Sequence, residues 1–416
     1  MQVFTNARIF DGRNPQLREG WNVHVNADRI TEVSDRPPPP NAEVIDCGGR
    51  VLMPGLIDAH IHIYLADVNV QVIARQPPTY YAHYGARALR NMLDRGFTTV
   101  RDTGGGDYGM QLALAKGLVT GPRLFISGRA LSQTGGHGDF RHPHHHVEGE
   151  DMLACGCGTR NHVTVVVDGV DEVRKAVREN LRRGASFIKF MGSGGVSSIS
   201  DPLESMQFSD EEIRAIVDEV ERHGAYCTAH ILSDAAIRRA IMLGVHCIEH
   251  GVLIEPATAR LAAERGTYIV PTLAIIGALA RRGAELGYPA EALAKLAAIK
   301  DEAIARLEHM RDAGVKLGFG SDLMGDLEGD QCTEFTLRSA VFSPFEILRQ
   351  ATAMNGEILG QKDRLGVIAP GAFADILLVD GNPLEDISLL AADGANLALI
   401  MRGGRIHKDR RQTASG

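Results

Sequence analysis

The stretch FIKFMGSGGVSSISDPLESMQFSDEEIRAIVDEVERHGAYCTAH, residues 187–230, decides the fold. It begins with a short apolar run, crosses a glycine-rich loop, continues as a helical pattern over 209–224 and ends in a second apolar run. Ser209 followed three residues later by Glu212 is the pattern of a capping box, and Gly224 fits the position just after a helix. The stretch therefore predicts a strand, a helix and a second strand.

The same alternation fills the middle of the chain, where helical patterns separate most of the short apolar runs. These runs are LIDAHIHI (56–63), FTTV (97–100), RLFISG (123–128), FIKFMG (187–192), AYCTAH (225–230), HCIEH (246–250), TYIVPT (267–272) and KLGFGS (316–321). Eight strands alternating with helices predict an α/β fold, a (β/α)8 TIM-like barrel. A doubly wound sheet is the alternative, but no glycine fingerprint for a nucleotide follows the first strand.

The two ends of the chain have a different pattern, with period-two apolar patches broken by Gly, Asp and Asn. We predict that 1–55 and 361–416 form one composite β-sandwich domain. The barrel domain then spans 56–360 and carries a long insertion at 129–168. Insertions after barrel strands often build substrate sites, so we expect this one near the active site.

Composition excludes several classes of partner. The 416 residues carry a net charge of -8 and no dense Lys/Arg cluster, so we expect neither a nucleic acid nor a membrane as partner. No apolar run approaches the ~20 residues of a membrane span, and the N-terminus does not resemble a signal peptide. The six cysteines form no spaced framework, which favours reduced thiols and a cytoplasmic location. We expect a small-molecule substrate and a homo-oligomer.

Side chains suited to metal binding occur where five of the predicted barrel strands end. These residues are His60, His62, Lys189, His230, His250 and Asp322. Each alone is more often structural, since an Asp can cap a turn and a strand-end His can be a satisfied polar residue. Together they supply imidazole and carboxylate ligands, the set that zinc and similar divalent ions use. The sequence therefore predicts a metal centre at one rim of the barrel.

Lys189 is the unexpected member of this set, because it lies within an apolar run. Burial and two neighbouring cations both disfavour a charged ammonium, and a neutral lysine is a nucleophilic amine. Reaction with carbon dioxide makes a carbamate, whose two oxygens can bridge two metals. The alternatives are a lysine that extends to the barrel mouth or one that binds a substrate carboxylate.

Several motifs resemble those of the amidohydrolase superfamily. They are VLMPGLIDAHIHI, FIKFMGSGG, CTAHI, CIEHG and GFGSD, with GVIAPGAFADILLVDGNP resembling its C-terminal β segment. TTVRDTGG, TGGHGD and KFMGSGGVSS resemble the metal-dependent carboxypeptidase and Xaa-Pro dipeptidase branch, which includes the ochratoxin-hydrolysing amidohydrolases. The resemblance covers nearly the whole chain.

This resemblance implies a centre with two divalent metal ions, which we expect to be Zn²⁺. His60, His62 and Asp322 are implied to hold the buried metal, and His230 and His250 the more exposed one. A carbamate on Lys189, formed from CO₂, and a hydroxide are implied to bridge them. The hydroxide attacks an amide carbonyl, and Asp322 takes its proton and passes it to the leaving amine.

Further residues are candidates for contacts with the substrate. His137, in TGGHGD, is the candidate donor to the tetrahedral oxyanion, although it can equally be a loop histidine without function. The backbone amides of Gly192–Val196, including those of Gly194, Gly195 and Val196, are candidates for a nest that binds an α-carboxylate. Arg101 is the rival carboxylate anchor, unless it forms a structural ion pair with the adjacent Asp102.

Leu232 stands where members of this branch often carry a tyrosine, two residues after the strand-five histidine. Leucine in place of tyrosine removes a hydroxyl from the expected pocket and favours an apolar group on the substrate. It also makes simple dipeptides less suitable substrates.

The preferred function is hydrolysis of an amide that releases a C-terminal amino acid, from an N-acyl amino acid, a dipeptide or ochratoxin A. The first alternative is other amidohydrolase chemistry, such as deamination or hydrolysis of a cyclic amide, carbamate or ester. Deaminases of the superfamily usually place a glutamate shortly after the strand-five histidine, and AHILSDAA has none. The second alternative is a non-catalytic scaffold, which the six filled ligand positions disfavour.

Overall fold

A computed structural model describes residues 1–73, 76–141, 162–198 and 201–411. Its strands are β1 (Gln2–Thr5), β2 (Arg8–Ile9), β3 (Asn22–Asn26), β4 (Arg29–Ser34), β5 (Glu43–Asp46), β6 (Val51–Pro54), β7 (Leu56–Ile61), β8 (Phe97–Asp102), β9 (Arg123–Ile126), β10 (Ala130–Ser132), β11 (Thr164–Val166), β12 (Ile188–Met191), β13 (Cys227–Ser233), β14 (Cys247–Leu253), β15 (Tyr268–Val270), β16 (Lys316–Leu317), β17 (Ile376–Val379), β18 (Leu397–Arg402) and β19 (Arg405–Asp409).

Helices separate most of the barrel strands. The α-helices span Val70–Ile73, Pro78–Asp94, Tyr108–Ala115, Val170–Arg182, Asp210–Arg222, Asp234–Met242, Pro256–Arg265, Leu273–Arg282, Ala290–Ile299, Glu302–Asp312, Thr333–Arg338, Pro344–Arg349 and Asn355–Ile358. Short 3₁₀ helices cover Gly325–Asp330 and Ile387–Leu390, and a π-helical turn covers Gln350–Met354. Among the described helices, none combines the length and the apolar character needed to cross a bilayer.

Eight parallel strands form the barrel, and each lies in one of the eight predicted apolar runs or overlaps it. Two arcs, β7-β8-β9 and β12-β13-β14-β15-β16, contain all of them. The Ala59 amide donates to the Phe319 carbonyl at 2.9 Å and the Ser186 amide to the Ile126 carbonyl at 2.8 Å, which joins the arcs on both sides. The predicted TIM-like barrel is confirmed.

The predicted insertion at 129–168 partly continues the barrel sheet. Strand β10 pairs with β12 and with β11, all in parallel. Between β9 and β10 the chain turns at Gly128, whose φ of +70° suits glycine. The centre of the insertion, 142–161, lies outside the described residues.

The two chain ends build a β domain against the barrel. One sheet has the order β4-β3-β1-β5 and the other β19-β18-β17-β6-β2, so the second sheet combines N-terminal and C-terminal strands. Phe4 and Ile30 from the first sheet share a buried core with Leu52, Leu378 and Leu399 from the second. Two sheets packed over a common core make a sandwich, as the two period-two ends of the chain predicted.

Local signals fixed the helix between β12 and β13. Ser209 accepts from the Glu212 amide at 3.3 Å, and the Glu212 carboxylate accepts from the Ser209 amide at 2.6 Å, so the predicted capping box is confirmed. The stretch 289–312 reads as one amphipathic helix in the sequence, but the structure has two helices there with a break at Lys300 and Asp301.

His246 lies just before β14, on the side of the barrel away from the strand ends that carry the predicted ligands. Its ring contacts those of Tyr226 and Tyr268, with centroids 4.7 and 4.9 Å apart. Burial and the nearby Arg101 lower the pKa of His246 to about 4. Because an unfolded histidine titrates near 6.5, the unfolded chain takes up a proton here before the folded chain does.

Acid should therefore destabilise the fold through His246. This contribution is fully present above pH ~6.5 and is lost as pH falls toward ~4, by about 3 kcal/mol. Replacing His246 with phenylalanine should make the free energy of unfolding less dependent on pH over this window, as measured by urea titration at several pH values. His83→Gln, at an exposed position, should leave the dependence unchanged. Identical pH profiles for the wild type and His246→Phe would contradict the assignment.

Candidate metal centre and active site

The six predicted ligand residues all line one cavity at the C-terminal rim of the barrel. The cavity has about 850 Å³ of empty space, a volume that includes its open mouth. His60 and His62 come from the end of β7, Lys189 from β12, His230 from β13, His250 from β14, and Asp322 from the loop after β16.

His60, His62 and Asp322 form the tightest group. One ligand atom from each lies within 4.8 Å of the other two. The Nε2 atoms of both histidines are 3.2 Å from the same carboxylate oxygen, Asp322 Oδ1. The Asp322 amide also donates to the His60 carbonyl at 2.8 Å, which fixes the loop after β16 against β7. Two imidazoles and a carboxylate at this spacing suit a divalent transition metal.

His230 and His250 extend the cluster. Their ring centroids are 4.5 Å apart, and that of His250 is 4.9 Å from that of His60. Thr272 Oγ1 pairs with His250 Nδ1 at 2.8 Å and so orients that ring. His230 Nε2 is buried without a hydrogen-bond partner in the part of the chain that the structure describes. A buried nitrogen without a partner is costly, and a metal ion would satisfy it.

The backbone at two of these residues has an unusual conformation. His250 has φ of +71° and Asp322 has φ of +57°, in the left-handed region that residues other than glycine rarely adopt. Such conformations cost on the order of 1–3 kcal/mol each and persist where the surrounding structure imposes them. Their presence at two neighbouring cavity residues is typical of a functional site.

Lys189 is 2% exposed and lies beside these rings. Burial lowers the pKa of its amine, an effect that the charges of Glu249 and Asp322 oppose without cancelling. A lysine at this position is therefore biased toward the neutral amine, the form that reacts with carbon dioxide. The structure does not place Lys189 at the barrel mouth.

Glu249 is a residue of the site that the sequence interpretation missed. It is fully buried, and one carboxylate oxygen pairs with His60 Nδ1 at 2.6 Å. The other accepts from Arg101 at 2.6 Å and from the hydroxyl of Thr228. Burial acts to raise the pKa of Glu249, but Arg101 and His60 outweigh it and hold the pKa well below its usual value. The sequence signal that could have identified Glu249 is an acidic residue inside the apolar run HCIEH.

Arg101 is not a carboxylate anchor in the cavity, which corrects one expectation. Its side chain is 0% exposed, absent from the cavity lining, and bonded to Glu249 and to the Ala59 carbonyl. The alternative of an ion pair with Asp102 is also wrong. The Asp102 carboxylate instead accepts from backbone amides, those of Ile63 (2.7 Å), Gly104 (3.0 Å) and Gly106 (2.8 Å).

His137, the candidate oxyanion donor, lines the cavity. Its ring stacks on that of His230, with centroids 4.2 Å apart and planes 16° apart. Its Nδ1 pairs with Ser198 Oγ at 3.0 Å, and Asp201 Oδ2 is 3.6 Å away. Because Nδ1 is occupied in this way, Nε2 is the ring nitrogen available to a substrate.

The glycine-rich loop does not form the predicted anion nest, because the loop uses most of its amides internally. Four of the five amides from residue 192 to 196 donate to protein acceptors. The pairs are Gly192 and Ser193 to His230 O, Gly194 to Ser205 O, and Gly195 to Asp201 Oδ2. Val196 contributes its side chain to the cavity wall. Gly195 has another role, since a Cβ there would lie 2.3 Å from His137 Cε1 and 2.5 Å from His230 Nε2.

Leu232 lines the cavity, so the position expected to hold a tyrosine hydroxyl is apolar. Other apolar residues surround it on the cavity wall, mostly from the barrel rim and the helices that follow β15. They include Leu65, Met191, Val252, Ile275, Ile276, Leu279, Leu296 and Ile299. The part of the cavity beyond the predicted ligands is therefore suited to an apolar substrate group.

Comparisons with known proteins agree with this architecture. The family model of the amidohydrolase family matches residues 51–406. Ochratoxinase from Aspergillus niger is 34% identical over 371 residues, covering 86% of this chain and 76% of the relative. A solved prolidase complexed with N-methylphosphonate-L-proline is 45% identical, has a TM-score of 0.94, and the match covers 98% of this chain and 99% of that one.

A solved Xaa-Pro dipeptidase with methionine bound in its active site is 25% identical, with a TM-score of 0.85 and coverage of 98% and 99%. The chain belongs to the amidohydrolase family. Its relatives confirm the branch that the motifs indicated, and the protein is a hydrolase that acts on amide bonds.

Proposed function

We propose that this protein is a binuclear metal-dependent amidohydrolase that releases a C-terminal amino acid from its substrate. The observation that carries the proposal is the convergence of four imidazoles, one carboxylate and one buried lysine on a single apolar cavity. The names of the relatives, ochratoxinase, prolidase and Xaa-Pro dipeptidase, support this substrate class.

Two groups of residues would hold the metals. His60, His62 and Asp322 would hold one ion and His230 and His250 a second, and a carbamate on Lys189 would supply further oxygen ligands. When bound, the ions, which we propose to be Zn²⁺, make a water molecule acidic enough to attack near neutral pH and polarise the amide carbonyl.

Carbamate formation needs only the neutral Lys189 amine and carbon dioxide. The amine nitrogen forms a bond to the carbon of CO₂, one C–O π bond becomes a carboxylate lone pair, and the nitrogen passes one proton to water. The product has a negative charge and two oxygens, which offset the cationic surroundings of a metal centre. The buried position of Lys189 supports this step, since burial biases the amine toward its neutral form and shields it from bulk water.

Asp322 is the residue placed to move protons. Its side chain is 18% exposed, so one part faces the cavity while Oδ1 pairs with two imidazoles. From this position the carboxylate can take a proton from the attacking water and pass it to the amine that leaves. His137 Nε2 donates to the carbonyl oxygen as negative charge develops there, while Ser198 fixes the ring through Nδ1.

A release assay tests the proposed function. Zinc-loaded protein is offered N-acyl amino acids, Xaa-Pro dipeptides and ochratoxin A, and free amino acid is measured by chromatography. We expect release, fastest for apolar side chains because of the apolar cavity wall. No release from any of them, with metal bound, would refute the proposal and favour the alternative of cyclic amides, carbamates or esters.

The homo-oligomer and the cytoplasmic location stay predictions.

Replacing His137 with phenylalanine, which keeps a ring but has no N–H donor, should lower kcat by about 10²–10³-fold, the usual effect of losing an oxyanion donor. The stacked ring is not a predicted metal ligand, so the metal content should stay at the wild-type value. Steady-state kinetics together with elemental analysis separate the two effects. An unchanged kcat, or a loss explained by missing metal, would contradict the assigned role.

A further inference from the structure

One pair of hydroxyl groups in the cavity has no part in the chemistry described above. Ser197 Oγ and Tyr288 Oη lie 2.8 Å apart, and both residues line the cavity. The other uncharged polar side chain on the described wall, Thr272, already pairs with His250. The Ser197–Tyr288 pair is therefore a separate polar point on a wall that is otherwise apolar away from the metal-ligand cluster and His137.

The Tyr288 side chain is held firmly in this position. It belongs to the connection between the helices Leu273–Arg282 and Ala290–Ile299, and it is only 4% exposed. Its amide donates to the Gly283 carbonyl at 2.9 Å, which closes the turn after the first helix. Burial raises the pKa of Tyr288, an effect that the Ser197 hydroxyl opposes, so the phenol stays protonated and remains a donor.

The loop that carries Ser197 is fixed from the same side. Lys295 donates to the carbonyls of Gly195 (3.0 Å), Ser198 (2.8 Å) and Asp201. An ammonium has three donor hydrogens, and Lys295 directs all three to backbone acceptors. Lys295 thus holds the loop against the helix Ala290–Ile299, and it has no donor left for a substrate.

A released amino acid carries a carboxylate, and this anion needs hydrogen-bond donors when it leaves water. Arg101 is buried beneath the site, Lys295 is occupied, and the amides of the glycine-rich loop are mostly used internally. Among the described lining residues away from the metal-ligand cluster and His137, the two free-rotating hydroxyls are the donors that remain.

We propose that Ser197 and Tyr288 form the subsite that binds the carboxylate of the amino acid to be released, a proposal that rests on the proposed function. Without substrate the two hydroxyls bond to each other. With substrate, each hydroxyl hydrogen turns toward one carboxylate oxygen, and the bonds gain strength because the acceptor is charged. Tyr288 would then supply the hydroxyl that Leu232 lacks, from a different part of the chain.

The test compares two substrates that differ only in the carboxylate: N-benzoyl-L-phenylalanine and N-benzoyl-phenethylamine, its decarboxylated analogue. The wild type should prefer the acid. Tyr288→Phe and Ser197→Ala should each lower kcat/KM for the acid by about tenfold to hundredfold, mainly through KM, and leave kcat/KM for the neutral analogue unchanged. Circular dichroism shows whether each variant is folded, and elemental analysis shows whether it contains metal. If Tyr288→Phe does not fold, Ser197→Ala alone tests the subsite.

Other outcomes separate the two proposals. Suppose that the wild type cleaves the acid, but that the variants lose activity to the same extent on both substrates or keep full activity on both. The carboxylate subsite is then wrong and the proposed function stands. If the wild type releases no amino acid from N-benzoyl-L-phenylalanine or from any substrate of the release assay, the proposed function fails and the subsite fails with it. If it cleaves only other substrates of that assay, the same variants are compared on the best of them and on its decarboxylated analogue.

Discussion

Replacing Lys189 with alanine should reduce amide hydrolysis by about 10³-fold or more, because the change removes charge stabilisation at the centre of the site. In our account this lysine, 2% exposed and biased toward the neutral amine, becomes the carbamate between two metal ions. The variant should also lose metal, since the bridging oxygens disappear. Initial rates and elemental analysis on the same preparations measure both effects.

The control is Lys175→Ala, which removes an exposed lysine from the helix Val170–Arg182 and should leave activity and metal content unchanged. A Lys189→Ala variant that keeps two metals and wild-type rates would show that Lys189 is not a bridging group. A variant that keeps metal but binds acidic substrates poorly would instead favour the alternative role, contact with a substrate carboxylate.

Replacing Arg101 with methionine should lower the free energy of unfolding by about 3–5 kcal/mol, the usual cost of leaving one partner of a buried ion pair alone. Arg101 and Glu249 are both 0% exposed, and their 2.6 Å contact is the strongest charge compensation that Glu249 has. Without it, the carboxylate beside His60 must either stay charged in an apolar environment or take up a proton. Urea unfolding at neutral pH measures the loss.

The double variant Arg101→Met with Glu249→Gln should recover part of this loss, because no buried charge then remains without a partner. The recovered variant should still be impaired in metal binding, since the glutamine amide replaces the carboxylate that accepts from His60 Nδ1. If the double variant loses more free energy of unfolding than the two single variants lose when their losses are added, this explanation is contradicted.

The barrel and the meeting of the six candidate ligands at its rim were predictable because their signals are local. Apolar runs, the Ser209–Glu212 capping box and glycine at helix ends each act within a few residues of sequence. Since barrel sites gather at the C-terminal ends of strands, the position of a histidine along its own strand was enough to place it on the rim.

The partners of these residues were not predictable in the same way. Arg101 and Glu249 are separated by 148 residues, and whether their side chains meet depends on the strand register around the barrel. The amides of the glycine-rich loop looked free in sequence, but His230, Ser205 and Asp201 take them up in the fold. Tyr288 reaches the cavity from a helix connection, whose direction no local pattern specifies.

Anomalous X-ray diffraction at the zinc edge, from crystals of zinc-loaded protein, tests the central claim most directly. The account predicts two metal peaks in the rim cavity, one beside His60, His62 and Asp322 and one beside His230 and His250, with additional density on the Lys189 nitrogen between them. A fully active preparation whose crystals show one metal, or an unmodified Lys189 amine, would contradict it.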